Sequence, residues 1–272
     1  MHDATSDTPD DRNAGETGAW PLTRQVVLVT GGARGLGRAI SRAFLDAGAR
    51  VGIAYHRSRA AAEALAGEHP GRALPVPVDI RDRAQIQALV ATVSEHFGQP
   101  VTTLVNNALV DFAFDGDARP TARELTRERL AAQLAGSVYG PLDLVQAVQP
   151  GMAELGFGRV INIGTNLVQH PVVPYHDYTA AKAALLALTR TLAHDLGPGG
   201  ITVNMVSGGL LRTTDASAAT PAAVFDAIAA GTPLGRVTTP AELADAVLFF
   251  ASPWARAITG QNLIVDGGLV KG

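Results

Sequence analysis

The residues best suited to chemistry are Tyr178 and Lys182, in Tyr178-Thr179-Ala180-Ala181-Lys182 at the head of an apolar helical run that continues to Leu188. A Tyr and a Lys four residues apart share one helix face, so the ammonium can approach the phenol. A phenol titrates near ~10 in water, and a neighbouring cation favours the phenolate and lowers that value. Such a pair can act as an acid/base near neutral pH. The same spacing also arises on ordinary helix surfaces, so its meaning depends on what the rest of the chain brings to the tyrosine.

A second chemical signal lies near the start. Gln25 to Thr30 is a short β-branched apolar run, a buried strand by its composition. It runs into Gly31, Gly32, Ala33, Arg34, Gly35, Leu36 and Gly37, followed by a helical pattern carrying Ile40, Phe44 and Leu45 and ending at Gly48. A further strand spans Arg50 to Tyr55. Strand, glycine turn, helix, strand is the unit that binds dinucleotides. Glycines let backbone N–H groups approach a pyrophosphate while a helix N-terminus faces its charge.

Strand and helix patterns then alternate. Helices are expected over 60–68 and 84–97, with strands over 73–78 and 103–106. A long helix over 130–153 is interrupted at Pro141; a strand over 159–163 and the Tyr178–Leu196 helix follow. Strands over 201–206 and 262–265 flank a helix over 241–251. This alternation predicts an α/β fold: one Rossmann-type, doubly wound parallel sheet of about seven strands with helices on both faces. Residues 23–272 form one domain behind an acidic tail, residues 1–22, read as solvated and mobile.

Composition excludes several classes. The 272 residues are 47% hydrophobic and carry a formal charge of −3, so no basic footprint points to nucleic acid. With no cysteine there is no disulfide, thiolate metal site or Cys nucleophile. No apolar run reaches the ~18 residues of a membrane span. The first residues lack the order of a signal peptide, and a cytoplasmic protein is expected. Asp111, Asp115 and Asp117 lie close together without the loop and terminal Glu of a calcium motif, and no metal is assigned.

Thr30-Gly31-Gly32-Ala33-Arg34-Gly35-Leu36-Gly37 matches TGxxxGxG, Asn106-Asn107-Ala108 matches most of NNAG, and Tyr178 with Lys182 matches YxxxK. With the C-terminal Ile258 to Gly268 segment, the chain resembles the short-chain dehydrogenase/reductase family, nearest its 3-oxoacyl-[acyl-carrier-protein] reductase-like branch. The resemblance implies hydride transfer between a nicotinamide and a carbonyl or alcohol carbon of a small molecule. Tyr178 would be the acid/base and Lys182 would lower its pKa and hold the nicotinamide ribose. Thr165 stands thirteen residues before Tyr178, where the family has Ser, and Ser137 stands where it has the Asn of a proton relay. The resemblance further assigns Asp79 and Ile80 to the adenine, Asn107 and Ala108 to the cofactor, and Leu211 and Thr213 to the nicotinamide and phosphates. Strand two ends without a carboxylate; His56 and Arg57 follow it and Arg34 sits in the turn, which favours NADP(H) over NAD(H).

Leu109 replaces the glycine of NNAG, and Gly208 replaces the proline of PGxxxT. Asn166, His170, Tyr175 and His176 lie where substrate walls form in the family, and Thr213 to Pro233 corresponds to its mobile lid. Family members are commonly tetramers, so a homotetramer or homodimer is expected, with Ala183, Leu186, Ala187 and Arg190 as candidate interface positions. The expected activity is reduction of a ketone, 3-oxoacyl thioesters included. The alternative is a non-catalytic NADP(H)-binding sensor or scaffold on the same fold.

Overall fold

The computed structural model describes residues 19–116, 118–212 and 214–271. Seven parallel strands form one sheet in the order β3-β2-β1-β4-β5-β6-β7. These are β1 Val26–Thr30, β2 Arg50–Tyr55, β3 Ala73–Pro77, β4 Thr103–Asn106, β5 Gly158–Thr165, β6 Ile201–Gly208 and β7 Asn262–Val265. The apolar runs of β1, β4 and β5 are buried along their whole length, as both faces of a parallel sheet are covered. Alternate residues feed separate cores. Val27 and Val29 pack with α1 (Gly35–Asp46), α2 (Arg59–Gly67) and α8 (Pro240–Ala251). Val26 and Leu28 pack with α3 (Arg83–Phe97), α5 (Gly140–Glu154) and α6 (His176–Leu196).

The sheet reverses its winding between β1 and β4, and a ligand crevice opens at the carboxyl ends of strands at such a point. Thr30 and Asn107 tie the two strand ends together. The Thr30 Oγ1 donates to the Val105 carbonyl at 3.2 Å and accepts from the backbone N–H groups of Asn107 at 2.9 Å and Ala108 at 3.0 Å. The Asn107 amide donates to the Thr30 carbonyl at 2.8 Å. A second buried chain, Asn106 to Asn162 to Thr189, links β4, β5 and α6.

The long helix expected over 130–153 is three pieces: α4 Arg127–Leu134, a π-helical turn Ala135–Tyr139, and α5. Pro141 has no N–H to give the Ser137 carbonyl, so the ladder widens just ahead of it. The Gly140 N–H donates to the Ala135 carbonyl instead. The turn packs tightly: a Cβ on Gly140 would stand 2.6 Å from the Ile80 carbonyl oxygen, and one on Gly136 2.8 Å from Val110. The segment from Thr213 to Pro233, expected as a lid, contains α7 (Ala222–Gly231).

The domain starts earlier than its sequence suggests. Trp20, placed in the tail by its polar neighbours, is buried and stacks on Phe157 at 4.7 Å, with the Arg24 guanidinium 3.7 Å above it. The acidic residues Asp3 to Glu16 lie outside the described residues. Thr30→Val keeps the shape of the β1 end but strips two backbone N–H groups of their acceptor. The expected loss is about 1–3 kcal/mol, read by urea denaturation; an unchanged midpoint would show that the β1–β4 tie is dispensable.

Candidate active site

At the end of β1 the chain turns through Gly31 and Gly35, both at positive φ (62° and 52°), which glycine adopts without strain. Gly37 is required for close packing, since a Cβ there would stand 2.0 Å from the Gly31 carbonyl oxygen. The N-terminus of α1 has no side-chain cap, and Gly35, Leu36 and Gly37 line a cavity. Uncapped N–H groups at a helix start, open to a cavity, fit a pyrophosphate. Gly32 does something else: it lines no part of the site, and a Cβ there would meet Ser41 and the Val29 carbonyl, so its glycine serves packing.

On one side of the turn is a recess of about 140 Å³ lined by Ala33, Arg34, His56, Arg57, Asp79, Ile80 and Ala108 among others. His56 and Arg57 are exposed at its rim. The Asp79 carboxylate is committed to Arg81, which donates to it at 2.7 and 2.9 Å, and this holds its pKa down at about 2. Arg81 also reaches Asp111 at 3.3 Å. Sequence reading missed Arg81, because an Arg four residues past a strand has no pattern of its own. The recess is therefore lined by Arg34 and Arg57, with Arg81 engaged by its two carboxylates, Asp79 and Asp111.

On the other side the cavity widens to about 560 Å³ and reaches Thr165, Tyr178 and Lys182. Tyr178 and Lys182 are each 4% exposed, in the first two turns of α6. Thr165 is the polar neighbour acting on the Tyr178 phenol, and its side-chain oxygen also accepts from the Leu167 N–H at 3.3 Å. Lys182 Nζ donates to the Ile163 carbonyl at 2.7 Å and lies 5.8 Å from the Tyr178 ring centre. Here the structure corrects an expectation. Burial pushes the Tyr178 phenol up to about 12, and the Thr165 hydrogen bond opposes this only in part. Burial also brings the Lys182 ammonium down to about 8. Burial thus favours the protonated phenol over the phenolate, against the expected depression.

Four aromatic rings gather at this point. Phe112 lies parallel to Tyr178 at 4.5 Å and 17°, and Phe114 meets Tyr178 edge-on at 5.5 Å. Tyr175 packs edge-on against both phenylalanines. The sequence presents 110–120 as an acidic loop; its Phe-Ala-Phe alternation was the available signal for an inward-facing wall. Leu109, the departure from NNAG, fills space beside these rings. The loop is tied to the segment after β6 by Phe114 N–H to the Ala216 carbonyl at 3.0 Å and Thr220 Oγ1 to the Phe114 carbonyl at 3.3 Å.

Of the other candidates, Leu211 and Asn107 line the cavity, and so does Asn166, whose amide donates to the buried Asp266 carboxylate at 2.9 Å. Gly209 allows that contact, since a Cβ would stand 3.1 Å from both side chains. Gly208 fits beneath Leu243, 2.5 Å from where a Cβ would be. Ser137, expected in a proton relay, is 2% exposed inside the π-helical turn and is not among the residues lining the cavity. His170 and His176 do not line it either. Thr213 and Asp117 lie outside the described residues. Among those described, no three His, Cys, Asp or Glu side chains gather as metal ligands, and no helix is long and apolar enough to cross a membrane.

Comparison with known proteins agrees with this layout. A family model described as enoyl-(acyl carrier protein) reductase matches residues 31–270. The chain is 34% identical over 259 residues to a 3alpha-hydroxysteroid dehydrogenase of Mediterraneibacter gnavus, covering 90% of this chain and 97% of that one. It is 33% identical to a 3-oxoacyl-[acyl-carrier-protein] reductase of Synechocystis sp., covering 92% and 98%. Among solved structures, a blue fluorescent protein from a metagenomic library in complex with NADPH superposes with a TM-score of 0.82 at 35% identity, covering 93% of this chain and all of that one. The chain belongs to the short-chain dehydrogenase/reductase family of NAD(P)-binding oxidoreductases.

Proposed function

We propose that the protein reduces a ketone to an alcohol with NADP(H), with Tyr178 as the proton donor. The observation that carries this reading is the buried Tyr178, which shares with Thr165 and Lys182 the lining of a cavity continuous with the glycine turn. The cofactor, when bound, supplies the hydride. Thr165 and Tyr178 then orient the carbonyl oxygen by hydrogen bonds, and Tyr178 gives its proton as the oxygen gains charge. Holding the phenol protonated at neutral pH suits that donor role. Lys182 places a cation near the same oxygen in a site with little water, where charge acts strongly. The Ile163 carbonyl keeps its ammonium in position.

NADP(H) is preferred in this reading because the recess beyond the turn holds Arg34 and Arg57, while its carboxylates, Asp79 and Asp111, are engaged by Arg81. A sensor that binds NADP(H) without turnover is the second reading, favoured by Ser137 lying off the cavity. We also propose a homodimer or homotetramer formed over the β7 side. Leu263 of this edge strand is 38% exposed, whereas Leu186 of α6 is packed within its own chain. Sedimentation at micromolar concentration should give a species larger than one chain; a lone chain contradicts the assembly.

Steady-state assays on a panel of ketones test the activity. NADPH should be oxidised by the wild type and bound but not oxidised by Tyr178→Phe, whose kcat falls about a hundredfold or more. Unchanged turnover in Tyr178→Phe would remove the tyrosine from the mechanism, and absence of turnover in the wild type would favour the sensor. For the cofactor, Arg57→Ala should weaken NADPH about tenfold and leave NADH nearly unaffected, given one exposed charge-assisted contact. Equal weakening of both would take Arg57 out of 2′-phosphate recognition.

A further inference from the structure

The reductase reading leaves the substrate's chemical class open, and the aromatic wall narrows it. We infer that the cavity selects a neutral carbonyl compound bearing a flat apolar ring next to the reacting carbon, with Phe112 and Phe114 as specificity-determining residues. This inference rests on the proposed reductase activity of the same site.

Three observations carry it. First, the surface beside the Tyr178 hydroxyl is built from rings in fixed mutual orientation. Phe112 is stacked on Tyr178, Phe114 is edge-on to both Phe112 and Tyr178, and Tyr175 is edge-on to the two phenylalanines. A further ring can join such an array face or edge, gaining attraction beyond that of equal apolar area, which a flexible alkyl chain does not gain. A rigid ring also loses less rotational freedom on binding than a chain of the same carbon count.

Second, the wall is held in place. Phe114 is fastened at both backbone ends, its N–H to Ala216 and its carbonyl by Thr220. Asp111, immediately before Phe112, takes φ 47°, the one non-glycine positive φ among the described residues, and this turns the chain so that the phenylalanines face inward. Arg81 holds the Asp111 carboxylate from outside. Rings that are already ordered cost less to engage than rings ordered on binding.

Third, the substrate side lacks a counter-charge for an anionic group. Among the described residues lining the larger cavity the cations are Arg34, which belongs to the glycine turn, and Lys182, which is committed to the Ile163 carbonyl. Its carboxylates are Asp115 and Asp266, and both disfavour a phosphate. Leu167, Val173, Val224 and Ile228 complete an apolar lining. An anionic group close to the reacting carbon would meet no partner for its charge there.

The test compares three probes with NADPH: 2-tetralone, a flat bicyclic ketone; 2-decanone, a linear ketone with the same number of carbons; and acetoacetyl-CoA. For the wild type, kcat/KM should be highest for 2-tetralone. Phe112→Leu keeps an apolar side chain but removes the ring. It should lower kcat/KM for 2-tetralone about two- to twelvefold, mainly through KM, and change that for 2-decanone less than twofold. Phe114→Leu gives the same pattern if the first variant is unstable. A wild-type preference for 2-decanone or acetoacetyl-CoA overturns the inference, and so does an equal loss on both ketones in the variants, which would mark the rings as merely structural. If no carbonyl is turned over, the reductase reading fails on its own. Calorimetric titration of the NADPH-loaded protein then decides the ring preference: tighter binding of 2-tetralone than 2-decanone, lost in Phe112→Leu, supports it, and equal affinities refute it.

Discussion

The site depends on burying a phenol and an ammonium together. Tyr178 and Lys182 are both about as inaccessible as core leucines, yet each must keep a polar partner, because a buried polar group without one is costly. Thr165 supplies the partner for the phenol and the Ile163 carbonyl that for the ammonium. Both partners come from β5, so α6 can dock only where its first two turns meet the end of that strand. That docking is what brings Tyr178 to the carboxyl edge of the sheet, beside the glycine turn after β1. The β1–β4 tie through Thr30 and Asn107 then sets how near the turn lies to the tyrosine.

Burial also sets the chemistry. Helix spacing alone suggests a cation lowering the phenol's pKa, but burial is the larger influence on Tyr178 and raises it, with Thr165 opposing. In the proposed reduction, a tyrosine buried in this way would hold its proton until negative charge develops on an oxygen beside it. An acid of this kind acts late, in response to the substrate, which is what reduction of a carbonyl requires.

Much of this was legible in the sequence. Short runs rich in apolar and β-branched residues locate the seven strands, because most of the sheet is covered on both faces. Tyr178, Lys182 and the glycine turn stand out by residue type and spacing, and Thr165 by the family resemblance. What escaped was set by tertiary contact. Phe112 and Phe114 sit in a loop whose acidic neighbours suggest solvent, and only the fold turns them onto Tyr178. Trp20 belongs to the core through its stack on Phe157, a partner far away in the chain. Ser137 has the right count along its helix, but Pro141 opens a π-helical turn there and the residue ends up away from the cavity lining. Gly32 and Gly208 have packing reasons that a motif cannot distinguish from ligand contact.

The account stands on the transfer of a hydride to a carbonyl carbon at this tyrosine. The most direct measurement is a single turnover with NADPH deuterated at the transferring position and a ketone substrate, followed by mass analysis of the product. The account predicts an alcohol carrying one deuterium on the former carbonyl carbon, formed by the wild type and not by Tyr178→Phe. Recovery of unlabelled alcohol, or of labelled alcohol in equal yield from both proteins, would contradict it.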